Sequence, residues 1–188
     1  RIHAAELKAK YPDAEIIDVH GGVIMPGLIN MHNHIYSAFA RGLSIRGYAP
    51  KDFNDILEGM WWKIDRCLTR ENDLYSAYAV YADCIKNGVT TVFDHHASFF
   101  DIPDSLDEIA QAATEFGVRT SLCYEVSDRD GEEKSLQSVQ ENADFFGLSP
   151  LAVANSLISK RTARLPTTKS QAPSSISLKV VIPQRQFT

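Results

Sequence analysis

The stretch Val23-Ile-Met-Pro-Gly-Leu-Ile-Asn-Met-His-Asn-His34 is an apolar run that closes on two histidines one residue apart. Side chains of a β-strand alternate faces, so His32 and His34 project to one side and Asn33 to the other. Two neutral imidazoles one strand pitch apart on a single face can bind the same divalent cation. A His-x-His pair often arises by chance, and the elements around it decide its meaning.

Upstream, the pattern predicts a short helix over Ala4–Lys10, a turn at Tyr11-Pro-Asp13, and a strand through Glu15-Ile-Ile-Asp-Val19. The strand from Val23 to His34 is expected to break at Pro26-Gly27. Downstream, Phe53, Ile56, Leu57, Met60, Trp61, Ile64 and Leu68 recur at three- and four-residue spacing and predict a helix from Lys51. A second helix is expected from Thr69, with Leu74, Tyr75, Tyr78, Tyr81, Ala82 and Ile85 on its apolar side and Gly88 as its stop.

The β-branched run Val89-Thr-Thr-Val-Phe-Asp94 then reads as a strand buried on both faces and ended by His95 and His96. Ser105-Leu-Asp-Glu108 reads as a capping box opening a helix that Gly117 closes. Val118 to Val126 predicts another strand, and Leu136, Val139, Ala143 and Phe146 a last helix ending at Gly147. Val89 and Val118 lie 29 residues apart, close to the roughly 30 of a strand–helix–strand crossover. Strands alternating with helices predict an α/β fold of parallel strands. Functional groups of such sheets gather at the carboxyl ends of the strands, where His32, His34, His95, His96 and Glu125 all fall.

Composition narrows the partners. A hydrophobic fraction of 44% and a charged fraction of 23% are those of a globular chain, and no apolar run approaches the roughly 20 residues that cross a bilayer. All 24 acidic residues and 13 of the 19 basic ones fall in residues 1–144, which therefore carry −11, while the remainder carries +6. So acidic a body would repel a phosphate backbone, which argues against nucleic acid as a partner. Cys67, Cys84 and Cys123 are scattered without CxxC spacing, so buried free thiols in a reducing cytoplasm are expected. From residue 149 the chain turns basic, rich in Ser and Thr and free of acids, and a disordered tail over 149–188 is expected.

Val23-Ile-Met-Pro-Gly-Leu-Ile-Asn-Met-His-Asn-His-Ile-Tyr36, followed by Arg41-Gly42, resembles the first barrel strand of the amidohydrolase superfamily. Trp61-Trp-Lys-Ile-Asp-Arg66, Val92-Phe-Asp-His-His-Ala-Ser98 and Cys123-Tyr-Glu-Val-Ser-Asp-Arg-Asp-Gly131 narrow the likeness to its aminohydrolase and chlorohydrolase branch, near the aminohydrolases of selenium metabolism. The resemblance implies a metal-dependent (β/α)8 TIM barrel flanked by a small β-sandwich. It assigns residues 1–22 to the end of that sandwich, residues 23–148 to about the first three barrel strands, and residues 149–188 to unrelated or frame-shifted sequence. His32 and His34 match the first pair of metal ligands, with zinc or iron as the cofactor.

The family's later ligands are histidines on the fifth and sixth strands and an aspartate on the eighth. Of the six histidines none lies beyond position 96, and such a barrel takes about 250 residues. The chain is therefore expected to be a catalytically silent amino-terminal fragment, with unpaired strand edges that favour oligomers or aggregates. The parent is expected to be a cytoplasmic hydrolase of non-peptide carbon–nitrogen bonds that deaminates a heterocyclic amine. Two rival readings are a chlorohydrolase or alkylamine hydrolase on the same fold, and a non-catalytic maturation factor for a selenium or molybdenum enzyme. For the small-molecule substrate, the candidate contacts are Arg41, Trp62, His95 and His96. Trp61 is expected in the core, Glu125 and Asp128 as solvated loop charges, and His3 and His20 at the surface.

Overall fold

The computed structural model describes residues 4–147. Three strands, β1 (Leu28–Asn33), β2 (Val89–His96) and β3 (Arg119–Tyr124), form one parallel sheet in the order β1-β2-β3. Each chain crossover is helical. The sheet is therefore the run of consecutive β/α units that an α/β reading requires, and its sequential strand order is that of the start of a barrel.

The helix α1 (Ala4–Lys10) forms where its pattern predicts. The strand expected through Glu15–Val19 does not form: Ile16 and Ile17 are 64% and 78% exposed, and no partner ladder covers them. β1 begins only at Leu28, since Pro26 lacks a ladder donor and Gly27 packs its backbone against Thr90, where a Cβ would stand 2.2 Å from the Thr90 methyl. After β1 comes a 3-10 helix, Ile35–Ala40. The helix expected from Lys51 is interrupted: α2 (Phe53–Ile56) and α3 (Trp62–Ile64) are joined by a π-helical turn over Leu57–Trp61.

α4 (Arg70–Lys86) starts at Thr69, which forms a capping box with Asn72, and Gly88 follows it at φ +71°. Its buried face carries Asp73, Ser76, Ala77, Tyr81 and Cys84, rotated from the expected stripe, and Tyr75 and Ile85 are exposed. The difference arises because α4 packs against both α5 (Ser105–Phe116) and the 3-10 helix, so polar residues share its inner side.

α5 starts where expected but is capped differently. Ser105 donates its hydroxyl to the Ile102 carbonyl (2.8 Å). Glu141 of α6 (Glu132–Phe146) instead accepts from the Asp104 and Leu106 N–H groups at 2.8 and 2.9 Å. The core lies between the sheet and these helices, with Val92, Leu122, Tyr81, Ile102, Leu106 and Ile109 at its centre.

Cys84 and Cys123 are buried free thiols, as expected, whereas Cys67 is exposed. Among the described residues no helix is long and apolar enough to cross a membrane. His3 and the tail expected to be disordered from residue 149 lie outside the described residues.

Candidate metal centre

β1 ends at Asn33, and His34 is the link to the 3-10 helix. His32 and His34 do share a face: their Nε2 atoms lie 2.9 Å apart. The His34 Nδ1 lies 3.0 Å from the backbone carbonyl of His95. A carbonyl can only accept, so Nδ1 carries the proton, and a neutral His34 then presents a lone pair on Nε2. That is the tautomer a ligand needs, fixed in the usual way by a carbonyl behind the ring.

The pair fits a cation. The two Nε2 atoms converge to 2.9 Å, close enough for both to serve one divalent ion. Among the described residues, no group of three or more His, Cys, Asp or Glu donors has metal-site geometry.

The expected substrate contacts part ways. His95 is nearly buried, its ring centroid is 5.4 Å from that of His34, and neither of its ring nitrogens has a hydrogen-bond partner. Burial, reinforced by His34 and His96, lowers its pKa to about 3, so the ring is neutral. His96 turns the other way into the core. It is fully buried, lies edge-on to Tyr36 and Tyr124, and its Nε2 sits 2.9 Å from Ser98 Oγ and 3.4 Å from Asp73 Oδ2. Adjacent residues on a strand must diverge in this manner. Arg41 pairs with Asp83 of α4 at 2.7 Å, with both side chains exposed.

Trp62 is half-buried and lies beneath a guanidinium, 5.1 Å from the carbon of Arg129. Trp61, expected in the core, is likewise only half-buried. Arg129 itself escaped the sequence reading. Its side chain is 3% exposed and holds Asp65 at 2.5 Å, Glu125 at 2.9 Å and Asp130 at 3.1 Å, with the Phe99 ring 4.0 Å away. One cation thus joins the segments that follow β1, β2 and β3. Glu125 is therefore a paired group and not a solvated one, while Asp128 is exposed as expected. Burial pushes the Asp65 carboxyl up to about 6 against the pull of Arg129.

Asp94 was also missed. It lies 4% exposed on β2, and its Oδ1 accepts the Ile35 N–H at 2.7 Å. Its signal in the sequence is a carboxylate inside an apolar β-branched run, directly before two histidines. Burial raises its pKa to about 7. Away from these groups, a cleft of about 280 Å³ is lined by Gly47, Tyr48, Pro50, Asp55 and Glu58 and contains none of the site histidines.

The chain resembles known proteins along most of this region. Residues 23–161 match the amidohydrolase family. The 5'-deoxyadenosine deaminase of Methanosarcina barkeri is 33% identical over 131 residues, 69% of this chain and 28% of that protein. The 5-methylthioadenosine/S-adenosylhomocysteine deaminase of Thermococcus onnurineus is 32% identical over 126 residues, 67% of this chain and 27% of that protein. A crystal structure of atrazine chlorohydrolase TrzN from Arthrobacter aurescens TC1, complexed with zinc, aligns with a TM-score of 0.46 and 24% identity over 63% of this chain and 30% of that one. The chain thus spans just over a quarter of the length of these deaminases. A parallel β/α sheet, paired imidazoles at the end of its first strand, and a match over residues 23–161 lead to one assignment: the chain belongs to the amidohydrolase family.

Proposed function

We propose that the protein is a metal-dependent aminohydrolase that removes an amino group from a heterocyclic ring, and that this chain carries its first two metal ligands, His32 and His34. The observation that carries the proposal is the convergence of the two Nε2 atoms at 2.9 Å with the His34 Nδ1 proton committed to the His95 carbonyl. The names of the relatives, deaminases of 5'-deoxyadenosine and S-adenosylhomocysteine, support an adenosine analogue as the substrate class.

His32 and His34 would hold a divalent cation, zinc or iron, whose bound water would have its pKa lowered from ~15.7 towards ~7 and so be available as a nucleophile at neutral pH. The residues of this chain hold and orient. His32 and His34 present their Nε2 atoms on one side, and the His95 carbonyl keeps the proton of His34 on the far side of its ring. The neutral His95 ring, with both nitrogens open to new partners beside His34, contacts the substrate. Trp62, stacked under Arg129, is a second contact for the substrate ring. His96 serves as core support.

The test is metal content and ammonia release by the intact protein from 5'-deoxyadenosine and S-adenosylhomocysteine. His32→Ala and His34→Ala are each expected to lower bound metal and abolish ammonia release. Release that survives both substitutions would reject the assignment.

A further inference from the structure

The buried carboxylate of Asp94 has a place in the fold that no packing requirement explains. The β1–β2 ladder runs from Leu28 opposite Val89 to Asn33 opposite Asp94, with irregular register between Asn30 and Asn33. At that point β1 stops and the 3-10 helix begins, so the Ile35 N–H is one of the donors a helix start leaves without a partner. His34 occupies the capping position, but its side chain makes no cap bond. Asp94 supplies the missing acceptor from the neighbouring strand, 2.7 Å from the Ile35 nitrogen. The next residue on the same strand supplies the second hold, the His95 carbonyl at 3.0 Å from His34 Nδ1. On the other side of β2, the Cys123 thiol donates to the Asp94 carbonyl at 3.5 Å, so β3 backs the same residue. His34 is thereby gripped by its ring and by the backbone just after it, both times from β2.

We propose that Asp94 is a positioning residue for the imidazole pair: its Oδ1 fixes the strand-to-helix turn that carries His34, so that the ring reaches the His95 carbonyl and turns Nε2 towards His32. The proposal rests on the metal-ligand reading of His32 and His34 and goes beyond it by naming what holds them. The contact through which Asp94 acts is with the backbone: its Oδ1 accepts the N–H of Ile35, the residue directly after His34.

The test compares Asp94→Ala with Asp94→Asn in the intact protein, with Zn²⁺ as the probe in competition with a chromophoric chelator. Two further readouts accompany it: the ¹⁵N NMR tautomer signature of His34 and hydrogen exchange of the Ile35 amide. Asn keeps an oxygen for the Ile35 N–H and Ala does not. D94A is expected to weaken Zn²⁺ binding about 10–100-fold, the usual effect of losing an outer support, to mix the His34 tautomers and to expose the Ile35 amide. D94N is expected to stay within about threefold of wild type in affinity, with tautomer and amide protection retained.

A D94A protein with wild-type affinity and a single His34 tautomer overturns the proposal, as does a D94N protein that loses both like D94A. If D94A does not fold, D94N alone decides: loss of Ile35 protection or of Zn²⁺ affinity overturns the proposal, and retention of both supports it. His34→Ala separates the two levels. If it leaves Zn²⁺ binding unchanged, the metal reading itself fails; if it abolishes binding while D94A does not, only the role of Asp94 falls.

Discussion

Replacing Arg129 by Met removes a cation whose side chain is 3% exposed and leaves Asp65, 1% exposed, without its partner. Methionine matches much of the aliphatic stem, so packing against Phe99 and Trp62 changes less than charge does. Removing one member of a buried pair costs about 3–5 kcal/mol, because the remaining charge stays desolvated. Here three carboxylates depend on the guanidinium, at 2.5, 2.9 and 3.1 Å. Glu125 and Asp130 are more exposed, at 12% and 19%, and reach water, so most of the cost falls on Asp65. We expect R129M to lower stability by about 4 kcal/mol. D65N should cost less, and the double variant less than the sum, with a coupling of about 1–3 kcal/mol. Urea unfolding of the four proteins, compared at their midpoints with unchanged slopes, measures this. Additivity within about 0.5 kcal/mol would refute the view that the Arg129–Asp65 pair ties the loops together. Arg129→Lys should rescue little, since an ammonium cannot hold two oxygens of Asp65 in a fork.

Two further outcomes are expected. The Asp94 carboxyl, raised by burial from 3.8 to about 7, keeps its proton longer in the folded state than in the unfolded one. Its stabilisation is therefore full below pH ~4 and is lost as pH rises through ~7, by on the order of 4 kcal/mol. Urea midpoints between pH 4 and 8 should fall across this window in wild type and much less in D94N. Glu141→Ala removes the acceptor of the Asp104 and Leu106 N–H groups and should cost about 2–3 kcal/mol, with Glu141→Gln intermediate; equal midpoints for Ala and wild type would show that water replaces the cap.

Features that depend on near neighbours in the chain were readable from it. α1, the start of α4 at Thr69, the glycine stops at 88, 117 and 147, and the strands β2 and β3 all form where local pattern places them. Alternation also points His32 and His34 to one side, although His34 lies just past the end of β1 and is held there by β2. What escaped lies far apart in sequence. Arg129 meets Asp65 across 64 positions, Asp94 meets Ile35 across 59, and Glu141 meets Leu106 across 35. No periodicity encodes such pairs. The Glu15–Val19 strand failed for the converse reason: its residues favour a strand, but a strand without a neighbour leaves its ladder unmade. The inner face of α4 was misplaced because its polar residues turn towards His96 and the 3-10 helix, a partner that hydrophobicity does not reveal.

The carboxylate of Glu141 at the head of α5 has a consequence for biosynthesis. A nascent chain leaving the ribosome exposes Asp104 and Leu106 well before it exposes the side chain that will cover their amides. Until then the first turn of α5 has only water to receive its donors, and fraying there is the cheapest motion available. The three β/α units are thus latched from the carboxyl side, and any excised version of this domain must include α6 or begin its fifth helix with bare amides.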